Sequence, residues 1–363
     1  MIANLTDAFT DVDGRYQPTL SYARLFEAAA FHTVRTGDGI GFTDDGAARA
    51  GTWIAAAIRS AWSVPLIVDT DMFLDVDDAG GLGVAFALQR LGEARILAVG
   101  IDLRADRTQV ADTSWQCAAA FAAFYTDGGS VPLGVAPPRE GVQADVVDYT
   151  AACAPLAPPG LPTPPPAVDV YRQALAAQPD GSVVIAGTGY EGNLAALLAS
   201  APDASSPLTG RQLVARKVRT LVVMASGFPS STGEHNVQGD IASAQAIASS
   251  WPTKVVWAGS EVGFPVVTGA TISAAHPLTS PLRVSYEAYR GPSTAWFSWD
   301  LTAVYHAVRP ADAAMVEIGP GTNHIDDTGA NTFTPGPGNQ YYLRLDDGTS
   351  LSNRLEQLLD VTP

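Results

Sequence analysis

Apolar residues in this chain fall in short runs separated by longer segments of helical spacing. Val64–Val68, Ile96–Ile101, Ser182–Ala186, Thr220–Met224 and Lys254–Trp257 are brief stretches dominated by aliphatic side chains. Uninterrupted apolar runs of that length read as strands buried on both faces. The intervening segments are long enough for crossover helices, and Ala79–Leu88, rich in Ala, Gly and Leu, reads as the first of them. Such alternation predicts an α/β fold: an open, mostly parallel sheet with helices on both faces, Rossmann-like in layout. Tyr341–Leu345 and Leu351–Leu359 read as a last strand and helix. Gly319–Gly338, rich in Gly, Thr, Asn and Pro, reads as irregular, and Pro155–Pro166 as a proline-rich loop with polyproline II character.

Residues 1–62 have a different texture. They are more polar and carry Asp/Gly turns such as Asp11-Val12-Asp13-Gly14, with helical spacing at Tyr22–Phe31 and Ala47–Ser60. The expected organisation is therefore an N-terminal extension, 1–62, packed on one main α/β domain, 63–363.

Composition narrows the function classes. A hydrophobic fraction of 47% in 363 residues suffices for a large core, and charged residues make up only 16%. The formal net charge of −16 argues against nucleic-acid partners and favours cations. Lysine is confined to Lys217 and Lys254. Cys117 and Cys153 lack metal-ligand spacing, and two distant cysteines define neither a disulfide framework nor a redox compartment. No apolar run reaches membrane-spanning length, so no membrane partner is expected. The first residues lack a signal peptide's basic and apolar segments, which leaves a cytoplasmic protein or a processed secreted one.

The segment Asp69-Thr70-Asp71-Met72-Phe73-Leu74-Asp75-Val76-Asp77-Asp78 packs five carboxylates between the first strand and the first helix. Like charges at that density call for a counter-ion. A hard cation with oxygen ligands answers it, and Ca²⁺ accepts many carboxylates at loose geometry. The position matters too, because open parallel sheets bind ligands beyond the carboxyl ends of their strands. An EF-hand is excluded: counted from Asp69, the sixth position is Leu74 instead of Gly and the twelfth is Gly80 instead of Glu.

Three further blocks recur downstream in order. They are Val183-Val184-Ile185-Ala186-Gly187-Thr188-Gly189-Tyr190-Glu191-Gly192-Asn193-Leu194-Ala195; Leu221–Met224 followed by Glu234-His235-Asn236 and Asp240; and Trp299-Asp300-Leu301-Thr302-Ala303-Val304. With the acidic loop, this set resembles the calcium-dependent nucleoside hydrolases, the inosine–uridine-preferring family, in a divergent form. The resemblance implies Ca²⁺ held by Asp71, Asp78, the Thr188 carbonyl and Asp300, with Asp75 as a further candidate. It implies Asp71 as the general base, and Asp77, Glu234, Asn236 and Trp299 around the substrate. Asp69 and Asn193 would orient the metal shell from behind. The implied activity is hydrolysis of a ribonucleoside, or a related N-riboside, to ribose and free base, as in purine or pyrimidine salvage. The implied partner is that small molecule, and a homodimer or homotetramer is compatible.

The pattern departs from the family at several points. Asp75-Val76 lengthen the first block, and Phe73 stands where Gly is usual. Arg104, Ala105 and Asp106 replace a sugar-binding Asn, as does Pro229-Ser230-Ser231-Thr232 before Glu234. Trp299 occupies the place of a His that would protonate the leaving base. A non-catalytic, calcium-stabilised sugar- or nucleoside-binding protein is therefore a second reading. A haloacid-dehalogenase-like phosphatase, with Asp69 as nucleophile and Asp71 as acid/base, is a third and needs a phosphate-binding Lys. His235 reads as a loop residue; His32, His276, His306 and His324 read as structural or surface positions.

Overall fold

Seven parallel strands form the body of a ten-stranded sheet that an antiparallel flank of three completes. In this computed structural model the described residues are 63–72, 75–102, 108–137 and 149–363. The helices expected at Tyr22–Phe31 and Ala47–Ser60 lie outside them, as do Phe73, Leu74, Arg104, Ala105 and Asp106. Val64–Pro363 belongs to one unit.

The predicted strands are present at Val64–Thr70 (β1), Ala94–Ile101 (β2), Val183–Gly187 (β4), Val218–Met224 (β5) and Lys254–Ala258 (β7). Leu133–Val135 (β3), Ser230–Ser231 (β6) and Gln340–Leu345 (β12) join them in the sheet, whose parallel strands run in the order β3-β2-β1-β4-β5-β7-β12, while Val267–Thr268 (β8) and Trp296–Phe297 (β9) pair with each other apart from it. Side chains of a strand alternate between faces, and both faces here are covered. Leu66, Val68, Val184, Ala186, Val222 and Val256 enter one core, with the helices Asp77–Arg90 and Trp299–Val308 above them. Ile67, Val183, Ile185, Leu221, Val223 and Trp257 enter the other. Two-sided burial is the reason these strands read as unbroken apolar runs.

One expectation fails. Gly319–Gly338 is not irregular: it holds most of strand β10, Met315–Ile325, and all of β11, Asn331–Pro335, paired antiparallel. On this flank the burial alternates, with Gly321, Asn323 and Ile325 buried between exposed neighbours. The inward positions are partly polar. Asn331 Nδ2 donates to Asn323 Oδ1 at 3.0 Å and to the Gly227 carbonyl at 2.9 Å. Side-chain hydrogen bonds replace apolar contacts, so the hydrophobic pattern that reveals a strand is missing.

Cys117 and Cys153 form a disulfide with a Cα–Cα distance of 5.1 Å. It joins the helix Thr108–Tyr125 to the short helix Tyr149–Cys153. Among the described residues no helix is long and apolar enough to cross a membrane.

Candidate active site

Sheet order reverses direction at β1: β2 and β3 lie on one side, β4 and β5 on the other. A crevice opens at such a switch point, at the carboxyl ends of the strands. Four strand ends feed it here. β1 runs into Asp71, β4 into Thr188, β5 ends at Met224, and Ser260 follows β7; all four residues line one cavity of about 510 Å³.

Asp77 and Asp78 occupy the first turn of the helix Asp77–Arg90, where the positive end of the helix dipole favours carboxylates. Two glycines let another helix approach this turn. A Cβ on Gly81 would stand 3.3 Å from the Asp300 Cβ, and one on Gly80 would collide with Tyr286 and Leu301. This approach brings Asp300, in the first turn of Trp299–Val308, against the acidic loop, where its backbone N–H donates to Asp77 Oδ2 at 3.0 Å.

Asp71, Asp75, Asp77, Asp78, Thr188, Glu234, Asn236, Trp299 and Asp300 all line the cavity. Asp69 and Asn193 are buried behind it. Asn193 Nδ2 donates to Asp69 Oδ2 at 3.1 Å, and the Asn193 N–H donates to Asp102 Oδ2 at 3.1 Å. Asn236 Nδ2 donates to the Thr188 carbonyl at 3.2 Å and the Met224 carbonyl at 3.0 Å, so it holds two strand ends together. Glu234 is the N-cap of the helix His235–Gly239 and not merely a loop residue. Its oxygens accept from the N–H groups of Ser226, Asn236 and Val237. Trp299 Nε1 donates to the Ser260 carbonyl at 2.8 Å, which fixes its ring in the wall.

The electrostatics are those of crowded acids. Burial first, and then the neighbouring Asp78, hold Asp71 well above the usual carboxylate range. Burial followed by Asp75 does the same to Asp77, and burial followed by Asp77 to Asp300. Burial lifts Asp78 to about 6 although the Asp71 and Thr70 hydrogen bonds pull it down. Burial lifts Glu234 to about 7 against the pull of its backbone donors. Among the described residues no Lys or Arg belongs to the lining.

Among the described residues no three acidic, His or Cys side chains already stand as a metal cage. The donor chemistry fits a hard cation all the same. Beside burial, the neighbouring Asp78 charge raises the Asp71 carboxyl, as one like charge does to another. A buried acid cluster with no basic partner in its lining offers only oxygen donors and needs positive charge.

Several contributors were not legible beforehand. The Thr70 hydroxyl donates to Asp78 Oδ1, and the Met72 N–H donates to the same oxygen at 3.1 Å. Tyr149 Oη reaches Asp78 Oδ2 at 3.5 Å. The Tyr171 hydroxyl donates to Asp69 Oδ2. Tyr289 and His235 line the cavity as well. Glu191, left-handed at φ 57°, is buried with neither carboxyl oxygen hydrogen-bonded; burial and then Glu234 push it well above the usual range. Single tyrosines among apolar residues carry no spacing signal, which is why they were missed. The two lysines serve elsewhere: Lys217 pairs with Asp180 at 2.9 Å, Lys254 pairs with Glu317, and neither lines the cavity. The phosphatase reading thus lacks its cation.

No family model matches the chain, and no curated protein matches it. Solved structures do. An inosine-guanosine nucleoside hydrolase superposes with a TM-score of 0.61 at 15% identity, covering 82% of this chain and 97% of its own. The inosine-uridine preferring nucleoside hydrolase of Bacillus anthracis gives 0.59 at 14%, covering 82% and 99%. The type III effector protein XopQ, in complex with adenosine diphosphate ribose, gives 0.61 at 15%, covering 85% and 97%. At these identities the likeness speaks for architecture: the chain has the nucleoside hydrolase fold, in a divergent sequence.

Proposed function

We propose that the protein is a metal-assisted hydrolase of N-ribosidic bonds, releasing ribose and a free base. The observation that carries this reading is the meeting of Asp71, Asp78, Thr188 and Asp300, distant in sequence, at one cavity that Glu234 and Asn236 also line. Asp71, Asp78, the Thr188 carbonyl and Asp300 would hold Ca²⁺, with Asp75 within the same lining. Bound there, the ion would lower the pKa of a water and orient it. Asp71 takes that water's proton as general base. The Asp77 oxygen not engaged by the Asp300 N–H faces the ribose hydroxyls. Glu234 and Asn236, fixed by their backbone bonds, hold the sugar, and Trp299 faces the base. Developing positive charge on the sugar is stabilised by the surrounding carboxylates.

The test is hydrolysis of p-nitrophenyl riboside with Ca²⁺ and with EDTA. Turnover that EDTA abolishes and Ca²⁺ restores is expected. Ribose or nucleoside binding with no turnover would instead favour the non-catalytic binder.

A second measurement follows from the acids. In the metal-free protein Asp78 is raised from 3.8 to about 6, and Asp71, Asp77 and Asp300 are raised as well. A carboxyl whose folded pKa is raised leaves the fold most stable below the unfolded value, and that stability is lost as pH rises through the folded value. Ca²⁺ must displace the same protons, so its affinity climbs over that window. At free Ca²⁺ about a hundredfold above Kd, stabilisation is about 2.7 kcal/mol, a rise in Tm of roughly 3–5 °C. The rise is expected at pH 7.5 and should shrink by at least half at pH 5 with the same Ca²⁺. Equal shifts at both pH values would remove these carboxylates from the ligand set.

A further inference from the structure

The part of the cavity assigned to the base is built from rings, not from proton donors. Trp299 and Tyr289 line it. Trp299 packs on Phe297 with centroids 5.0 Å apart, and Tyr289 meets Trp296 edge-on at 5.3 Å. Trp296 Nε1 donates to Asp75 Oδ2 at 3.3 Å, which sets a carboxylate of the lining beside this aromatic group. The Arg290 guanidinium lies 3.6 Å over the Trp296 ring and 5.3 Å from the Tyr289 ring centre, so of the two lining rings Trp299 is the one it leaves to a ligand.

Proton donors are scarce at this wall. The indole N–H of Trp299 is committed to the Ser260 carbonyl. Burial and then Asp75 push the Tyr289 phenol up to about 12, which makes it a poor acid. The imidazole in the lining, His235, begins the helix that Glu234 caps, and its ring neighbours Tyr190 at 6.1 Å. In the chain it stands between Glu234 and Asn236, the pair assigned to the sugar.

Resting on the hydrolase reading, we infer that the preferred substrates are cationic N-ribosides, in which the leaving base is a pyridinium or an N-alkylated purinium, recognised by Trp299 and the Asp75 carboxylate. An aromatic face and a neighbouring carboxylate attract a flat cation. The bond chemistry agrees. When C1′–N breaks in a neutral nucleoside, the electron pair leaves an anion on nitrogen unless an acid supplies a proton. When the nitrogen is already positive, the same pair cancels its charge and the base departs neutral. The water oxygen bonds C1′ and its proton goes to Asp71, so no proton donor is needed on the base side.

The experiment compares kcat/KM for N-ribosylnicotinamide with that for inosine and uridine, in the Ca²⁺-loaded full chain. p-Nitrophenyl riboside, whose leaving group needs no proton, serves as reference. General acids are worth about 10²–10⁴ in rate, so a preference for the pyridinium of at least about a hundredfold is expected, with no loss of rate between pH 7 and 9. Trp299→His, which installs an imidazole and removes a ring, should narrow that preference at least tenfold when each rate is normalised to the reference. Inosine or uridine cleaved as fast as the pyridinium by the unmodified protein would overturn the inference while leaving the hydrolase reading intact. No turnover of p-nitrophenyl riboside would instead remove the hydrolase reading, and this inference with it.

Discussion

Asp78→Ala is expected to abolish turnover and to weaken Ca²⁺ binding by well over a hundredfold. Partners that merely orient metal ligands are worth about 10–100-fold in affinity, and Asp78 is assigned here as a ligand itself. Its surroundings support a fixed carboxylate. Oδ1 accepts from the Thr70 hydroxyl and the Met72 N–H, and Oδ2 faces Tyr149. Loss of Asp78 therefore also leaves the buried Thr70 hydroxyl without this acceptor. Calorimetric titration with Ca²⁺ and a p-nitrophenyl riboside assay measure the two effects. Thr70→Val serves as the companion variant, because it removes the orienting hydroxyl and keeps the carboxylate; it should cost affinity within the 10–100-fold range. Asp78→Ala with undiminished Ca²⁺ affinity would show that Asp78 is not a ligand.

Gly100→Ala should be strongly destabilising although it lies away from the cavity lining. Gly100 lies in β2, and a Cβ there would run into the hydroxyl and the hydroxyl-bearing end of the Tyr171 ring. Tyr171 uses that space to reach Asp69 Oδ2, the oxygen that Asn193 Nδ2 also holds at 3.1 Å. The added methyl must displace a fully buried tyrosine from a charge-assisted hydrogen bond. Overpacking costs about 1–3 kcal/mol and loss of a hydrogen bond to a charged group about 1.5–3 kcal/mol. Together they amount to a fall in Tm of roughly 3–10 °C. Tyr171→Phe removes the hydrogen bond and the nearest clashing atom. The double variant should therefore be less destabilised than the two single effects added together. A Gly100→Ala protein that melts with the wild type would mean that Tyr171 does not occupy this space.

The disulfide and the tyrosines show where reading a chain by pattern stops. Cys117 and Cys153 stand thirty-six positions apart, and nothing in that spacing announces a bond. Tyr149 and Tyr171 look like core residues, and both are buried, yet each places its hydroxyl against an aspartate of the acidic loop. Their role depends on direction, which hydrophobicity does not encode. The antiparallel strands at Met315–Ile325 and Asn331–Pro335 escaped for a related reason: Asn323 and Asn331 fill inward positions and satisfy each other. Glu234 and Asn236 were legible as residue types, but their service as cap and strap for the ends of β4 and β5 was not.

By itself, the sequence determined the layering and the chemistry on offer. Runs such as Val64–Val68 and Thr220–Met224 are apolar on both faces, and only a sheet covered on both sides buries them. Five carboxylates after the first strand dictate a demand for positive charge, because like charges so close together repel wherever the chain goes. Only the tertiary structure decided which distant groups meet. Reversal of strand order at β1 opens the crevice, and glycines at 80 and 81 let the helix carrying Asp300 approach. The close contact at Gly100 seats the tyrosine that steadies Asp69. Proximity of that kind depends on the packing of whole elements, which no local pattern of residues specifies.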